Sequence, residues 1–598
     1  MALVLVALAM AIGGPAAAQR VLGPSFPGGG GTAYFDVIVY GSEPEGIAAA
    51  VAAAEEGART LLVTADARLG GLFVLGELNM LDMRTQPFNY QRGLFQRWWR
   101  MVGAMDAFDV LTAERAFQRL LSEAGVEVWT EAGQVAPRYV SGVLRGIELT
   151  DFEVEVNALQ VVDASADADL AAQTDAPFDL GWERFGVSQR QADTLVLNVA
   201  GVDWQALRRG VSARGRSYAN MRETVAWGSF GGVPTAYVPS QPDMRLRGLN
   251  LGLQNDGSVL VNALLLYGLD PLDPVSLASG RARGLHEGEA IVAYLREHLP
   301  GFERARLAGA ATELYVRESR HLLADCVLTA DAALDNLVTT DAVAAGGYPL
   351  DAQSFTAHDA GFVWGAPDIY GGRLCMMTTA TVDNLWVVGR SAGYDPVAFA
   401  SARVVPFGMA MGEAAGVAAA TSVRLAVPTS MVVHDAGLLD SVREALVGRG
   451  AYLPDAHARR ATGPVDHPAY GAFRTLIARG LAVGGYDNDP KLDAPVSALS
   501  FAYLLSNVAT RFFYRTDVGG DFVKLTLELV SDDAGAPLTS EIAGEVLTRA
   551  ACELATCPPS PAWEDLRIAG LAGGPEPQGG FTRGDSYRLA AALAREAP

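Results

Sequence analysis

Cysteine is scarce: the chain has four in 598 residues and no C-x2-C pair. That argues against an iron–sulfur cluster or a zinc site. Cys326 and Cys375 stand alone, whereas Cys552 and Cys557 have the spacing of a small disulfide in an oxidising compartment; two unrelated thiols remain the alternative. Positive charge is also short. Lys plus Arg number 46 against 68 Asp plus Glu, a formal net charge of −22. Such a surface repels phosphate backbones, so nucleic acid is not an expected partner. Long apolar runs are missing too: Met1 to Ile12 offers about 12 residues where a bilayer span needs about 20. Half the residues are apolar, but alanine supplies much of that, so the positive mean hydropathy does not mark a membrane protein. No Ser–His–Asp arrangement of recognisable spacing is present.

What is there begins with that N-terminal apolar stretch. It runs into Gly13-Gly14-Pro15 and Ala16-Ala17-Ala18, small residues at an A-x-A site. The pattern predicts a cleaved signal peptide over 1–18 and an exported protein, periplasmic, cell-surface or secreted. No charged n-region precedes it, which leaves the true start codon open. A chain of this length is expected to form two or three domains.

Asp36 to Thr64 carries the strongest fold signal. Phe35 to Tyr40 reads as an apolar strand, Gly41-Ser42-Glu43-Pro44-Glu45-Gly46 as a tight turn, Ile47 to Glu56 as an alanine-rich helix, and Thr60 to Val63 as a second strand. This is the βαβ unit that holds a dinucleotide pyrophosphate on a helix N-terminus. Gly41 permits the turn and Gly46 the close packing of helix on sheet. Glu43 replaces the middle glycine of G-x-G-x-x-G.

Downstream, Arg68-Leu69-Gly70-Gly71 forms a loop a ligand can approach, and helical patterns follow at Phe95–Gly103 and Ala113–Glu123. Val126–Trp129 reads as a strand, and Gln134–Val140 with Gly142–Leu149 as a hairpin. Leu159 to Leu170 reads as a buried strand ending in small and acidic residues. Between 175 and 361 the patterns are mixed, with long loops, an Asn- and Gly-rich stretch at 249–258 and a helix near 275–297. That suits a substrate-facing insert. Nucleotide-site style returns at Asn384–Arg390, a strand running into Gly389, and at Pro406–Gly416, a glycine-rich helix start.

Together these segments resemble the FAD-dependent oxidoreductase family, whose flavin domain is built from separated N- and C-terminal pieces. Val39 to Ala50 matches its first motif, Leu69-Gly70-Gly71 its Leu-Gly-Gly loop, and Asp163-Ala164-Ser165-Ala166-Asp167 its Asp-Ala-Thr-Gly-Asp strand end. Arg317-Glu318-Ser319-Arg320-His321 matches a segment near the substrate, and Asp383–Arg390 with Ala402–Gly416 the closing motifs. The resemblance implies FAD as cofactor, held by Gly41, Ser42, Glu43, Pro44, Glu45, Gly46, Thr64, Asp66, Arg68, Gly70, Gly71, Ala164, Gly389, Arg390, Gly408 and Gly412. Thr64 departs from the family's ribose-binding Glu, which puts that role on Asp66. The implied fold is α/β: a Rossmann-like FAD-binding domain from 34–174 and 362–430, with a substrate domain at 175–361. Residues 19–33 are a linker.

Residues 453–509 resemble an S-layer homology repeat through Leu453-Pro454-Asp455, Gly484-Gly485-Tyr486-Asp487 and Pro495-Val496-Ser497. This predicts a mainly helical accessory domain at 431–510 and weak cell-envelope association. Residues 511–598 carry no motif. For the chemistry, Arg317, Arg320, His321, Arg373 and Arg403 are cationic residues in apolar or glycine-rich stretches, and Tyr370 and Tyr394 flank the closing motif. An arginine forks onto a carboxylate, and His321 is placed as the proton acceptor during hydride transfer, just ahead of a strand-like Cys326-Val327-Leu328. Three functions follow. One is an exported FAD oxidoreductase taking hydride from a small polar, anionic or polyhydroxylated substrate and passing electrons to an unknown acceptor. The others are an NAD(P)-binding oxidoreductase of the same fold and a non-catalytic envelope protein. No second G-x-G-x-x-G follows a strand in 175–360, which disfavours the NAD(P) reading.

Overall fold

The structure, a computed structural model, describes residues 31–81, 90–103, 107–457, 460–531, 533–577 and 580–598. The expected signal peptide and nearly all of the linker lie outside the described residues. The βαβ unit forms where the glycine turn places it, as β1 (Thr32–Tyr40), α1 (Pro44–Glu55) and β2 (Thr60–Val63). With β3 (Glu127–Trp129), β4 (Val135–Val140), β5 (Val143–Leu149) and β6 (Val154–Asp163) the strands make one sheet in the order β3-β2-β1-β6-β5-β4. β3, β2, β1 and β6 run parallel; β5 is antiparallel to β6, and β4 pairs antiparallel with β5 as the expected hairpin. Val37, Ile38 and Val39 are fully buried, as a parallel strand covered on both faces requires.

The region expected to be rich in loops is instead a six-stranded antiparallel sheet. Its strands are β7 (Asp193–Ala200), β8 (Asn220–Met221), β9 (Val225–Gly228), β10 (Met244–Leu253), β11 (Val259–Leu266) and β12 (Arg306–Ala310), in the order β12-β7-β11-β10-β9-β8. The Asn- and Gly-rich stretch is the end of β10 and its hairpin turn. Gly257 takes a φ of +83° there, and its N–H donates to the Gln254 carbonyl at 3.0 Å. Helix α2 (Pro274–His298) starts under an Asp273 cap and lies on this sheet, with Gly284 and Gly288 against Leu195 and Leu197 of β7.

The chain then returns to the first sheet. β13 (Leu385–Val387) pairs parallel with β6, and α3 (Val405–Leu425) packs along α1. The contact between the helices is backbone on backbone. Side chains at Gly412 and Gly416 would overlap the carbonyls of Glu45 and Ala49, and one at Gly408 would overlap the Glu45 carboxylate. This placement corrects the expectation that Gly408 and Gly412 contact a cofactor. Their missing side chains let α3 touch α1.

Residues 470–594 form one helical cluster that crosses the boundary expected at 510. Helix Ala498–Phe513 packs on Gly519–Leu529, on Ser540–Leu554 and on Arg583–Ala594, which also meets Tyr470–Ile477. Arg474 ties the cluster to the rest of the chain through Asp331 and Asp335, at 2.5 Å each. Cys552 and Cys557 are disulfide-bonded, and so are Cys326 and Cys375, 49 positions apart. The second pair corrects the expectation that both cysteines stand alone, because only folding brings so distant a pair together. Cys326–Leu328 is not a strand either: Leu328 makes one bridge to Tyr394, and the strand lies earlier, at Arg320–Leu322. Among the described residues no helix is long and apolar enough to cross a membrane.

Candidate functional site

The site is built where β1, α1 and β6 converge. Gly41 turns the chain at φ +102°, and a side chain there would overlap the Ala164 carbonyl. A Cβ on Gly46 would lie 2.5 Å from the Ala164 Cβ. The Ala164 N–H donates to the Tyr40 carbonyl at 2.7 Å, which clamps the loop after β6 onto the end of β1. Asp163 holds that loop from below. Its carboxylate accepts from the Ser165 N–H at 3.0 Å, the Ser165 hydroxyl at 2.6 Å and the Ala171 N–H at 2.7 Å. Burial still pushes its carboxyl up to about 6.

Above this junction lies a cavity of about 520 Å³, reached by Gly41, Glu43, Asp66, Ala164, Glu313 and Arg390. The Arg390 guanidinium pairs with Asp167 at 2.7 Å, and its buried Nε has no partner. Glu43 reaches across the turn and accepts from the Leu72 N–H at 3.0 Å, with its carboxylate where a side chain on Gly71 would stand. Burial pushes the Glu43 carboxyl up, opposed by Arg390 and by that N–H. Glu45 is pushed up to about 8, by burial and then by Glu43. Thr64 is spent locally: its hydroxyl donates to Asp66 at 3.0 Å and accepts from the Asp66 N–H at 3.2 Å, which sets the Asp66 carboxylate at the cavity.

A small pocket lined by Gly389, Arg390, Tyr315 and Arg317 shares walls with this cavity and with a second one of about 450 Å³. This chamber lies between β10 and the start of α3. Arg247, Arg317 and Arg403 line it together with Tyr315, Tyr348 and Asp351. Arg317 donates to the Ala192 carbonyl at 2.5 Å and the Thr194 hydroxyl at 2.8 Å. Burial lowers its guanidinium to about 10.

A glycine turn between parallel strand and helix, opening on an elongated cavity at the strand ends, is the geometry a dinucleotide needs. The family model described as FAD dependent oxidoreductase matches residues 36–446. The chain belongs to the FAD-dependent oxidoreductase family. No curated protein matches it. Among solved structures it is similar to a p-nitrophenol 4-monooxygenase of Pseudomonas putida DLL-E4, at 11% identity over 75% of this chain and 93% of that one, TM-score 0.35. It is also similar to the myxobacterial chondrochloren halogenase CndH, at 13% identity over 75% and 90%, TM-score 0.35. A third is the flavin-dependent monooxygenase PieE in complex with FAD and substrate, at 12% identity over 94% and 71%, TM-score 0.33. At those scores the likenesses carry no argument about substrate.

FAD fits the residues present. The junction at Gly41, Gly46 and Ala164, with no side chain larger than a methyl, leaves the start of α1 open to a diphosphate, Arg390 keeps a buried donor without a partner, and the Asp66 carboxylate lies at the same cavity. FAD brings the hydride-accepting chemistry; the chain supplies position and charge.

The structure brings together Gly41, Ser42, Glu43, Glu45, Asp66, Ala164, Gly389, Arg390, Arg317 and Arg403 along the two cavities and the small pocket that adjoins them. Pro44 opens α1, and Gly70 donates its N–H to the Ser42 carbonyl at 3.0 Å, so both shape the turn. Other expected residues lie elsewhere. Arg68 pairs with Glu114 at 2.8 Å and Arg373 with Asp341 at 2.6 Å, both away from these cavities. Arg320 does not line the cavities, but it pairs with Asp169 at 2.9 Å and donates to the Asp167 carbonyl at 2.7 Å, two residues that do line the first one. His321 is buried, with Nε2 3.3 Å from Glu318 and its ring edge-on to Phe399 at 4.5 Å. It lines none of these cavities, because a strand alternates its side chains and Arg320–Leu322 turns this one into the core. Tyr370 and Tyr394 are likewise fully buried. Tyr315 and Arg247 were missed. The available signals were Tyr315 two positions before Arg317 in an extended segment, and two arginines, Arg245 and Arg247, interrupting the apolar strand β10.

Proposed function

We propose that this FAD-dependent oxidoreductase takes hydride from a small polar, anionic substrate held in the Arg247–Arg317–Arg403 chamber and passes the electrons to a separate acceptor. The observation that supports this is a row of pockets with shared walls. It runs from the glycine turn to a chamber whose buried cations meet no carboxylate at ion-pair distance among the described residues. A buried guanidinium cannot shed its proton, so an anion is the ligand that best offsets the desolvation cost. The test is purification followed by anaerobic reduction of the bound flavin with a panel of hydroxy acids, polyols and neutral alcohols. A yellow protein bleached by the charged members supports the reading. A protein that purifies colourless and takes up no FAD contradicts it, and favours the NAD(P) or non-catalytic alternatives.

Export is a separate proposal, resting on the N-terminal pattern and compatible with two disulfides. N-terminal sequencing of the native product is expected to start near Gln19; an intact Met1 in the cytosolic fraction contradicts it. Envelope association rests on the S-layer-like segment alone. Co-sedimentation of the full chain with cell-wall fragments is expected, and its absence removes the idea.

A further inference from the structure

Three guanidiniums converge on one phenol inside the chamber. Tyr315 bridges Thr194 of β7, and Arg317, two residues on, leaves the same side of the extended segment. The Arg317 guanidinium lies 4.2 Å from the centre of the Tyr315 ring. Arg403 donates to the Tyr315 oxygen at 2.7 Å and, through its other nitrogen, to the Asp351 carbonyl at 3.1 Å. Arg247 enters from β10. The Nε atoms of Arg247 and Arg403 are buried and have no partner. Burial pushes the Tyr315 phenol up, but Arg403, Arg317 and Arg247 together outweigh it and hold the group below the ordinary tyrosine value. Tyr348 and Asp351 are the other titratable groups at this end of the chamber.

The charge count decides the ligand class. Three guanidiniums and the Asp351 carboxylate line this end of the chamber, so an excess of positive charge stands there even with that carboxylate ionised. A neutral sugar alcohol leaves that excess standing. An amino acid brings an ammonium group into a cationic chamber, where it is repelled. A carboxylate with a neighbouring hydroxyl suits the chamber, since guanidinium forks onto carboxylate and the Tyr315 oxygen that Arg403 holds is there to take the hydroxyl proton.

The geometry points to a small 2-hydroxycarboxylate as the substrate, with Arg247 and Arg403 on its carboxylate and Tyr315 as the base; this rests on the hydride-transfer reading above. With FAD bound as the two-electron acceptor, the C2–H bond would break and its hydrogen would leave with both electrons as hydride to the cofactor. The hydroxyl proton passes to the Tyr315 oxygen, the C2–O bond becomes a carbonyl, and a 2-oxocarboxylate leaves.

The probe is oxalate, which has the paired carboxylates and no C–H to oxidise. Added to the holoenzyme, it is expected to perturb the flavin spectrum saturably, with affinity about tenfold or more weaker in Arg247→Gln and partly restored in Arg247→Lys. Tyr315→Phe is expected to keep FAD and oxalate, to lose a tyrosinate absorbance that titrates below the ordinary range, and to slow flavin reduction by 2-hydroxy acids about 10²–10⁴-fold. Failure of oxalate to bind wild type, or equal binding by wild type and Arg247→Gln, overturns the proposal. Reduction by polyols but not by 2-hydroxy acids overturns it while leaving hydride transfer to FAD standing. Reduction by neither removes both.

Discussion

The two ends of one row of pockets carry opposite charge. The cofactor end gathers Glu43, Asp66, Asp167, Asp169 and Glu313 against Arg281 and Arg390, whereas the chamber gathers Arg222, Arg247, Arg317 and Arg403 against Asp351. At the acidic end most charges are already answered: Glu43 by the Leu72 N–H, Asp167 by Arg390, Asp169 by Arg320. There a bound diphosphate would rely on backbone N–H groups at the start of α1 and on the spare donor of Arg390. At the cationic end Arg317 and Arg403 donate to neutral oxygens and a phenol.

Breaking the acidic end outright has the largest expected effect. Gly46→Val puts a branched side chain into the contact with Ala164, and the purified protein is expected to retain no flavin, read from its visible absorbance. Next is Arg403→Gln at the cationic end. It is expected to keep FAD while losing about 1.5–3 kcal/mol in kcat/KM, roughly one to two decades, measured by steady-state kinetics.

A pH experiment sharpens the contrast. Glu45 and Glu313 are both pushed up to about 8, Glu45 by burial and Glu43, Glu313 by burial, Asp66 and Glu43. The folded chain therefore holds more protons than the unfolded one between about pH 4.5 and about pH 8. Stability falls as pH rises through that window. The melting temperature of the FAD-free protein is expected to drop over this range and to drop less in Glu45→Gln.

A smaller effect is expected from Glu43→Gln, which removes one like charge beside the diphosphate. FAD affinity at neutral pH should rise by about 1 kcal/mol, or roughly fivefold, by fluorescence titration. The smallest kinetic effect belongs to His321→Ala. Losing a buried hydrogen bond and ring contact costs about 1–3 kcal/mol of stability in denaturant unfolding, with flavin reduction at the wild-type rate.

The first sheet was legible because its signals are local. A glycine turn between an apolar strand and an alanine-rich helix constrains its own backbone, and Gly41, Gly46 and Ala164 stand where that logic puts them. The second sheet was read as mixed patterns with long loops because the registry of β11 with β7 and β10 lies in long-range pairing, which no short window records. The same limit misplaced the chemistry. His321 and Arg317 are close in sequence, yet one packs into the core and the other lines the chamber. Arg247 joins Arg317 and Arg403 only because three distant segments meet. Gly408 and Gly412 show a further ambiguity: missing side chains mark close approach, and the sequence does not say whether a helix or a ligand approaches.

The most direct test is a crystal structure of the protein with FAD and oxalate. The account predicts the diphosphate between the Gly41–Gly46 turn and Arg390, with oxalate hydrogen-bonded to Arg247 and Arg403 beside Tyr315. A diphosphate bound away from that turn, or oxalate found only outside the chamber, would contradict it.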